Sequence, residues 1–169
     1  FIPDRDGEKF FLEQACRGLS AYKTGTAFPY RESNNDRLLI AGPFLSLYSE
    51  GRKRYPNSST FHFSYELRHD DSNLDNWNAV NLVSVARGYD TIIITVYDRH
   101  TANIAKRLKG LGKRVIIFSI MSPVHILKDF EWADTILCGY SYSSYSFAAL
   151  FGALNGEIPV TGKIPLNVR

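Results

Sequence analysis

Residues 133–168, ADTILCGYSYSSYSFAALFGALNGEIPVTGKIPLNV, decide the fold. The run Ile136 to Cys138 is short, continuously apolar and free of polar alternation, the mark of a strand covered on both faces. A Ser/Tyr turn follows. Phe147, Leu150, Phe151 and Leu154 then fall at i, i+3, i+4 and i+7, one stripe of a helix. Ser143 or Ser144 stands where that helix would be capped, and Gly156 where a left-handed residue would end it. A strand passing through a turn into a helix is the repeating step of an alternating α/β chain.

Working upstream, three more runs are apolar on consecutive residues: Leu38 to Ala41, Ile92 to Val96 with one Thr, and Val115 to Phe118. Thr60 to Tyr65 alternates instead, Phe61, Phe63 and Tyr65 against Thr60, His62 and Ser64, as a half-exposed edge strand would. Helical stripes lie between the runs: Leu12, Ala15, Cys16 and Leu19; Ala79, Leu82, Val83 and Ala86; Ile104, Ala105, Leu108 and Leu111; and a weaker one through Phe44, Leu47, Tyr48 and Gly51. This alternation predicts a three-layer α/β/α sandwich with a mainly parallel five-stranded sheet. The order 2-1-3-4-5 places the alternating second strand at an edge, whereas 3-2-1-4-5 would bury it, so the first is expected. Residues 1–36 are read as an N-terminal helix and linker packing on the domain, and 37–169 as the sandwich itself. The Asp- and Asn-rich stretch from Arg68 to Asn76 reads as a surface loop.

Length and composition bound the function. A chain of 169 residues with 44% hydrophobic content is sized for one packed domain. A net charge of +3 on 20 basic and 17 acidic residues demands no acidic partner, so nucleic acid is not expected. Neither Cys16 nor Cys138 shows metal-ligand or redox spacing, and both read as small, reduced, buried hydrophobes. No apolar run approaches the roughly 20 residues of a membrane span. The start at Phe1 rather than Met fits a piece of a longer polypeptide.

The blocks RLLIAGPF (37–44), YDTIIITVYD (89–98), GKRVIIFSIMSPVHI (112–126) and TILCGYSYSSYSFAALFGALNGEIPVTGKIPL (135–166) resemble, in order and spacing, the C-terminal domain of glycoside hydrolase family 3. Ala27 to Tyr30, AFPY, would stand for the family's Leu-Pro-Leu segment before the first strand. The resemblance implies a flavodoxin-like sheet and a catalytic (β/α)8 barrel elsewhere in the same polypeptide, since a barrel takes about 250 residues. In the glucosidase-like branch an acid/base glutamate lies in an insertion after the third strand. Here Tyr97-Asp98-Arg99-His100-Thr101 runs straight into the next helix without insertion or glutamate. This departure resembles the β-N-acetylglucosaminidase-like branch, whose His/Asp pair lies on a barrel loop, and implies a domain with no catalytic residue and no cofactor or metal.

The residues at expected strand ends, Gly42, Pro43, Asp98, Ser122 and Tyr140, are the candidates for a rim contact with a carbohydrate substrate. Asp98 and His100 invite a catalytic role, but Asp98 or Thr101 as helix cap with a solvated His100 is the simpler reading. His62, His69 and His125 share no metal-ligand spacing. Arg52-Lys53-Arg54 and the group Lys106, Arg107, Lys109, Lys113 and Arg114 read as solvated faces, and Ser141 to Ser146 as a cap that packs a domain boundary. Two alternatives stay open. The chain could be an independent flavodoxin-like binding module for a sugar, nucleotide or flavin, although Gly42-Pro43-Phe44 is no glycine-rich phosphate loop. Or it could donate the acid through Glu66, Asp98 or Glu131.

Overall fold

The structure, a computed structural model, describes residues 4–63, 72–121, 124–160 and 162–163. Helix α1 (Arg5–Arg17) opens on Asp4, whose carboxylate accepts the Gly7 N–H at 2.9 Å. Strand β1 (Ser20–Lys23) follows almost at once. The alternating chain then runs β2 (Leu38–Gly42), α2 (Leu45–Arg54), β3 (Ser59–His62), α3 (Ser72–Ala86), β4 (Thr91–Val96), α4 (Arg99–Lys106) and β5 (Arg114–Ile120). It closes with the short α5 (Val124–Leu127), a 3-10 turn at Lys128–Phe130, β6 (Thr135–Gly139), α6 (Ser144–Leu154) and β7 (Gly162–Lys163).

One sheet holds all the described strands in the order β3-β2-β4-β5-β6-β1-β7. Its parallel part, β3-β2-β4-β5-β6, is the expected 2-1-3-4-5 order, with the alternating strand at the edge. The sheet is wider than the five strands expected. β1 pairs antiparallel with β6, Ser20 opposite Cys138, and β7 adds parallel to β1. Neither carried a legible signal: β1 is four residues with polar ends and an irregularity between Ala21 and Lys23, and β7 is two residues. The edge strand β3 is also shorter than the run read from sequence; Phe63 lies just past it, its N–H still bonded to the Gly42 carbonyl at 3.4 Å, and Ser64 and Tyr65 lie outside the described residues.

Because successive side chains point to opposite faces, each central strand feeds two cores. Ile92, Ile94 and Val96 of β4 with Val115 and Ile117 of β5 meet Leu82 and Ala86 of α3 and Ile104 and Ala105 of α4. Ile93, with Ile116 and Phe118 of β5, meets Leu47 of α2 and Phe147, Leu150 and Phe151 of α6 on the other side. Phe118 and Phe151 touch edge to face at 4.9 Å, the arrangement the ring quadrupoles favour. Three layers result. Helix α1 lies outside α6 and buries none of its residues; Phe10 and Phe11 are exposed, while Ala15 and Cys16 pack half-buried against the second core. Both cysteines are free thiols: Cys16 is partly exposed, and burial inside the sheet pushes the Cys138 thiol up to about 12. Among the described residues no helix is long and apolar enough to cross a membrane.

Polar groups at the N-terminal end of the sheet are closely satisfied. The half-buried Asp36 carboxylate accepts from the Tyr30 hydroxyl at 2.5 Å, the Thr91 hydroxyl at 2.9 Å and the Arg114 guanidinium at 2.8 Å. Asp134 accepts from the Thr26 hydroxyl at 2.6 Å, the Ala27 N–H at 2.8 Å and the Thr135 hydroxyl at 2.8 Å, pinning residues 25–27 beside β6. Burial would raise its carboxyl, but these hydrogen bonds prevail and hold it below the usual carboxylate range.

Candidate functional site

The C-terminal end of the sheet is built differently. Every strand of the parallel part is followed within a few residues by a bulky apolar side chain: Phe44 after β2, Phe63 after β3, Tyr97 after β4, Met121 after β5, and Tyr140 and Tyr142 after β6. In an open α/β sheet ligands bind at this end, where the chain leaves one strand for opposite sides. Here that point lies between β2, which leads outward to β3, and its other neighbour β4.

A pocket of about 520 Å³ opens there, with Pro43, Phe44, His62, Phe63, Tyr97 and Met121 among its lining residues. Phe44 organises it. Its ring is stacked on Tyr142 with 5° between planes at 5.7 Å, tilted against Tyr97 at 5.4 Å and packed on Phe147 at 5.6 Å. Phe44 is also the N-cap of α2 and supplies no side-chain cap bond. Tyr142 is 60% exposed and Met121 59%. Met121 has φ of +54°, a left-handed backbone that non-glycine residues seldom adopt, and its N–H is bonded to the Gly139 carbonyl at 3.2 Å. At the mouth, His62 Nδ1 lies 3.3 Å from the Tyr48 hydroxyl, which donates to the carbonyls of Gly42 and Phe61. Burial holds the Tyr48 phenol well above its ordinary range, so it stays neutral. Beneath, the Thr95 hydroxyl is buried without a hydrogen-bond partner among the described residues.

Of the four rim candidates among the described residues, Pro43 lines this pocket. Gly42 is a packing glycine: a Cβ there would come within 2.6 Å of Leu47 and of the Thr95 hydroxyl. Asp98 caps α4, its carboxylate accepting the Thr101 N–H at 2.8 Å while the Thr101 hydroxyl accepts the Asp98 N–H at 3.1 Å. Tyr140 is 64% exposed, with its hydroxyl 3.2 Å from Ser20 Oγ. Ser122 lies outside the described residues, as do Glu66, His69 and positions 68–71 of the expected 68–76 loop; its other five residues, Ser72 to Asn76, open α3 instead of forming a loop.

His100 is not simply solvated: its Nδ1 lies 2.8 Å from Asp75 Oδ2, a link between α4 and α3. The hydrogen bond to Asp75 raises its pKa, against a smaller lowering by desolvation. Glu131 is exposed just before β6, at the opposite end of the sheet from the pocket. The Ser141–Ser146 stretch divides its work. Ser143 caps α6 by accepting the Ser146 N–H, Tyr145 stacks on Phe11 of α1, and Tyr142 faces the pocket. Several basic groups pair with nearby oxygens: Lys53 with Glu50, Arg54 with Glu157, Lys106 with Asp129, and Arg114 with Asp36. Among the described residues no cluster of three His, Cys, Asp or Glu could hold a metal.

The rings of the pocket escaped a reading based on motifs, because residues 44, 97 and 142 meet only in three dimensions. A bulky apolar residue just beyond each parallel strand was the available signal.

No family model matches the chain, and no curated protein does. Solved structures do. A family 3 β-N-acetylglucosaminidase from Paenibacillus sp. str. FPU-7 superposes with a TM-score of 0.73 at 13% identity, over 100% of this chain and 34% of that one. A fungal multi-domain family 3 β-N-acetylglucosaminidase matches at 0.71 and 19% identity, over 94% and 19% of the two chains. A β-glucosidase from Erythrobacter marinus matches at 0.69 and 14% identity, over 92% and 29%. The chain therefore has a fold found within family 3 glycoside hydrolases, as the sequence blocks indicated, and spans between 19% and 34% of these enzymes' length.

Proposed function

We propose that the chain is the non-catalytic C-terminal domain of a family 3 glycoside hydrolase. It would support a separate (β/α)8 barrel of the same polypeptide that hydrolyses terminal β-linked N-acetylglucosamine. The observation that carries this reading is the direct passage from β4 through Tyr97 and Asp98 into α4. Asp98 is committed to the helix cap, leaving no inserted segment at that point to bear an acid. Retaining hydrolysis needs two groups about 5–5.5 Å apart. The described pocket walls carry no carboxylate that could be either one. Glu131, at the wrong end of the sheet, is a poor acid donor, and the short share of each similar structure that the chain covers leaves room for a barrel. In this role Pro43 and Tyr140 would stand at the rim presented to the barrel, with Gly42 packed against Leu47 and Asp98 capping α4, and the substrate would be a carbohydrate.

The test is made in the native polypeptide. Intact mass and peptide sequencing upstream of Phe1 should find a barrel-sized extension; a product beginning at Phe1 would end this reading. In that longer protein Asp98→Ala should lower the melting temperature while turnover stays within a few-fold. Loss of turnover by several powers of ten would make Asp98 the acid instead.

A further inference from the structure

We infer that the outer face of α3 is a self-association surface, on which a second copy of this chain packs its own α3 antiparallel about a two-fold axis at Val80. The inference does not depend on the preceding reading.

The composition of α3 calls for cover on both sides. Asp75 is its single charged residue, and that carboxylate is turned to His100 of α4. From Asn76 to Ala86 no charge follows. A helix without a charged face is ordinarily covered all round, and the molecule holds an example of its own. α6 also carries no charge, and α1 lies over it with Phe11 stacked on Tyr145 at 5.7 Å. α3 has the sheet beneath it and α4 beside it, yet Trp77 is 58% exposed and Val80 52%.

The exposed residues form a seam. Asn73, Trp77, Val80, Ser84 and Arg87 follow at intervals of four, three, four and three, the spacing by which paired helices interlock. Trp77 and Val80 lie at its middle, and Asn73 and Arg87 give it polar ends. Asn81, beside it, already donates its side-chain amide to the Trp77 carbonyl at 2.9 Å.

A second copy is the occupant because the seam complements itself. Turned about a two-fold axis at Val80, it sets Val80 against Val80, the large Trp77 of each copy over the small Ser84 of the other, and Arg87 beside Asn73. The two helix dipoles then oppose, and no like charges meet along the seam. One helix pair of this length buries on the order of 1,000 Å² in total, at the low end for a specific interface. The dimer is therefore weak and anchored by Trp77, a residue type that often dominates interface energetics.

Sedimentation equilibrium of the 169-residue chain should show reversible monomer–dimer exchange with Kd on the order of 10–100 µM. Val80→Lys and Val80→Asp each place like charges face to face at the axis. Each should weaken the dimer at least about ten-fold and leave the melting temperature unchanged, since the position is exposed. Mixed, the two variants should pair again, because residue 80 meets residue 80 only across an axis placed there. Leu45→Ser, at an even more exposed apolar residue on the other side of the sheet, should change nothing.

A chain that stays monomeric up to about 500 µM overturns the inference, as does a dimer indifferent to Val80→Lys. Two monomeric variants that fail to pair when mixed remove the two-fold seam. A longer native polypeptide that stays monomeric over the same range overturns it in favour of cover by the rest of that polypeptide. The two readings fail separately, since intact mass decides the barrel and sedimentation decides the dimer.

Discussion

The two ends of one sheet follow opposite rules. At the N-terminal end, Asp36 and Asp134 each gather three or more donors and the chain segments they bind are pinned. At the C-terminal end, rings are left partly in solvent, a hydroxyl is buried without a partner among the described residues and a methionine sits in an unusual backbone conformation. One end is spent on stability. The other keeps unsatisfied capacity, which is where a protein places a site for something else.

The sharpest way to break this contrast is Asp36→Ala, which strands Tyr30, Thr91 and Arg114 together. Losing hydrogen bonds to a partly buried charge should cost about 3 kcal/mol, lowering the melting temperature by roughly 6–12 °C. Urea unfolding measures it directly, and a loss of under about 1 kcal/mol would deny that the N-terminal end carries the stability.

Asp134→Asn should cost about 2 kcal/mol and remove a pH dependence. Its folded carboxyl titrates below the unfolded value of about 3.9, so the stability it supplies is complete above that value and drains away as pH falls through the folded one. Unfolding curves taken between about pH 5 and pH 2 should therefore converge for the two proteins at the acid limit.

Thr95→Val runs the other way. Replacing a buried hydroxyl that has no partner among the described residues with a methyl of the same shape should stabilise the protein by about 1 kcal/mol. If the variant is destabilised, the hydroxyl has a partner and the C-terminal end is better satisfied than the contrast holds.

The smallest effect belongs to the Asp75–His100 link, which is part-exposed and screened. Asp75→Asn should cost under about 1 kcal/mol and bring the His100 titration, followed by NMR, back toward about 6.5. Since the partner raises the imidazole pKa, the wild-type link is fully formed below that value and weakens as pH rises through the folded one. A His100 that titrates identically in both proteins would show the pair to be idle.

The same contrast explains what the sequence made legible. The parallel strands were readable because continuous runs such as Ile92 to Ile94 have a single solution, burial on both faces. α6 was readable from its stripe and a cap at Ser143 or Ser144, which falls on Ser143, and the start of α4 from a cap at Asp98 or Thr101, which falls on Asp98. β1 was not, since Ser20 to Lys23 becomes a strand only because β6 offers it an edge more than a hundred residues away. The pairing of His100 with Asp75 and the meeting of Phe44 with Tyr142 are likewise products of tertiary distance, to which local periodicity is blind.

The two thiols give the molecule a built-in clock. Cys16 lies partly exposed on the outer helix and should be alkylated at a rate set by local fraying. Cys138 sits within β6, its thiol held protonated by burial, and cannot react as thiolate until the central strands part. Mass spectrometry after timed exposure to iodoacetamide would therefore record, on one molecule, how often the edge loosens and how rarely the middle opens.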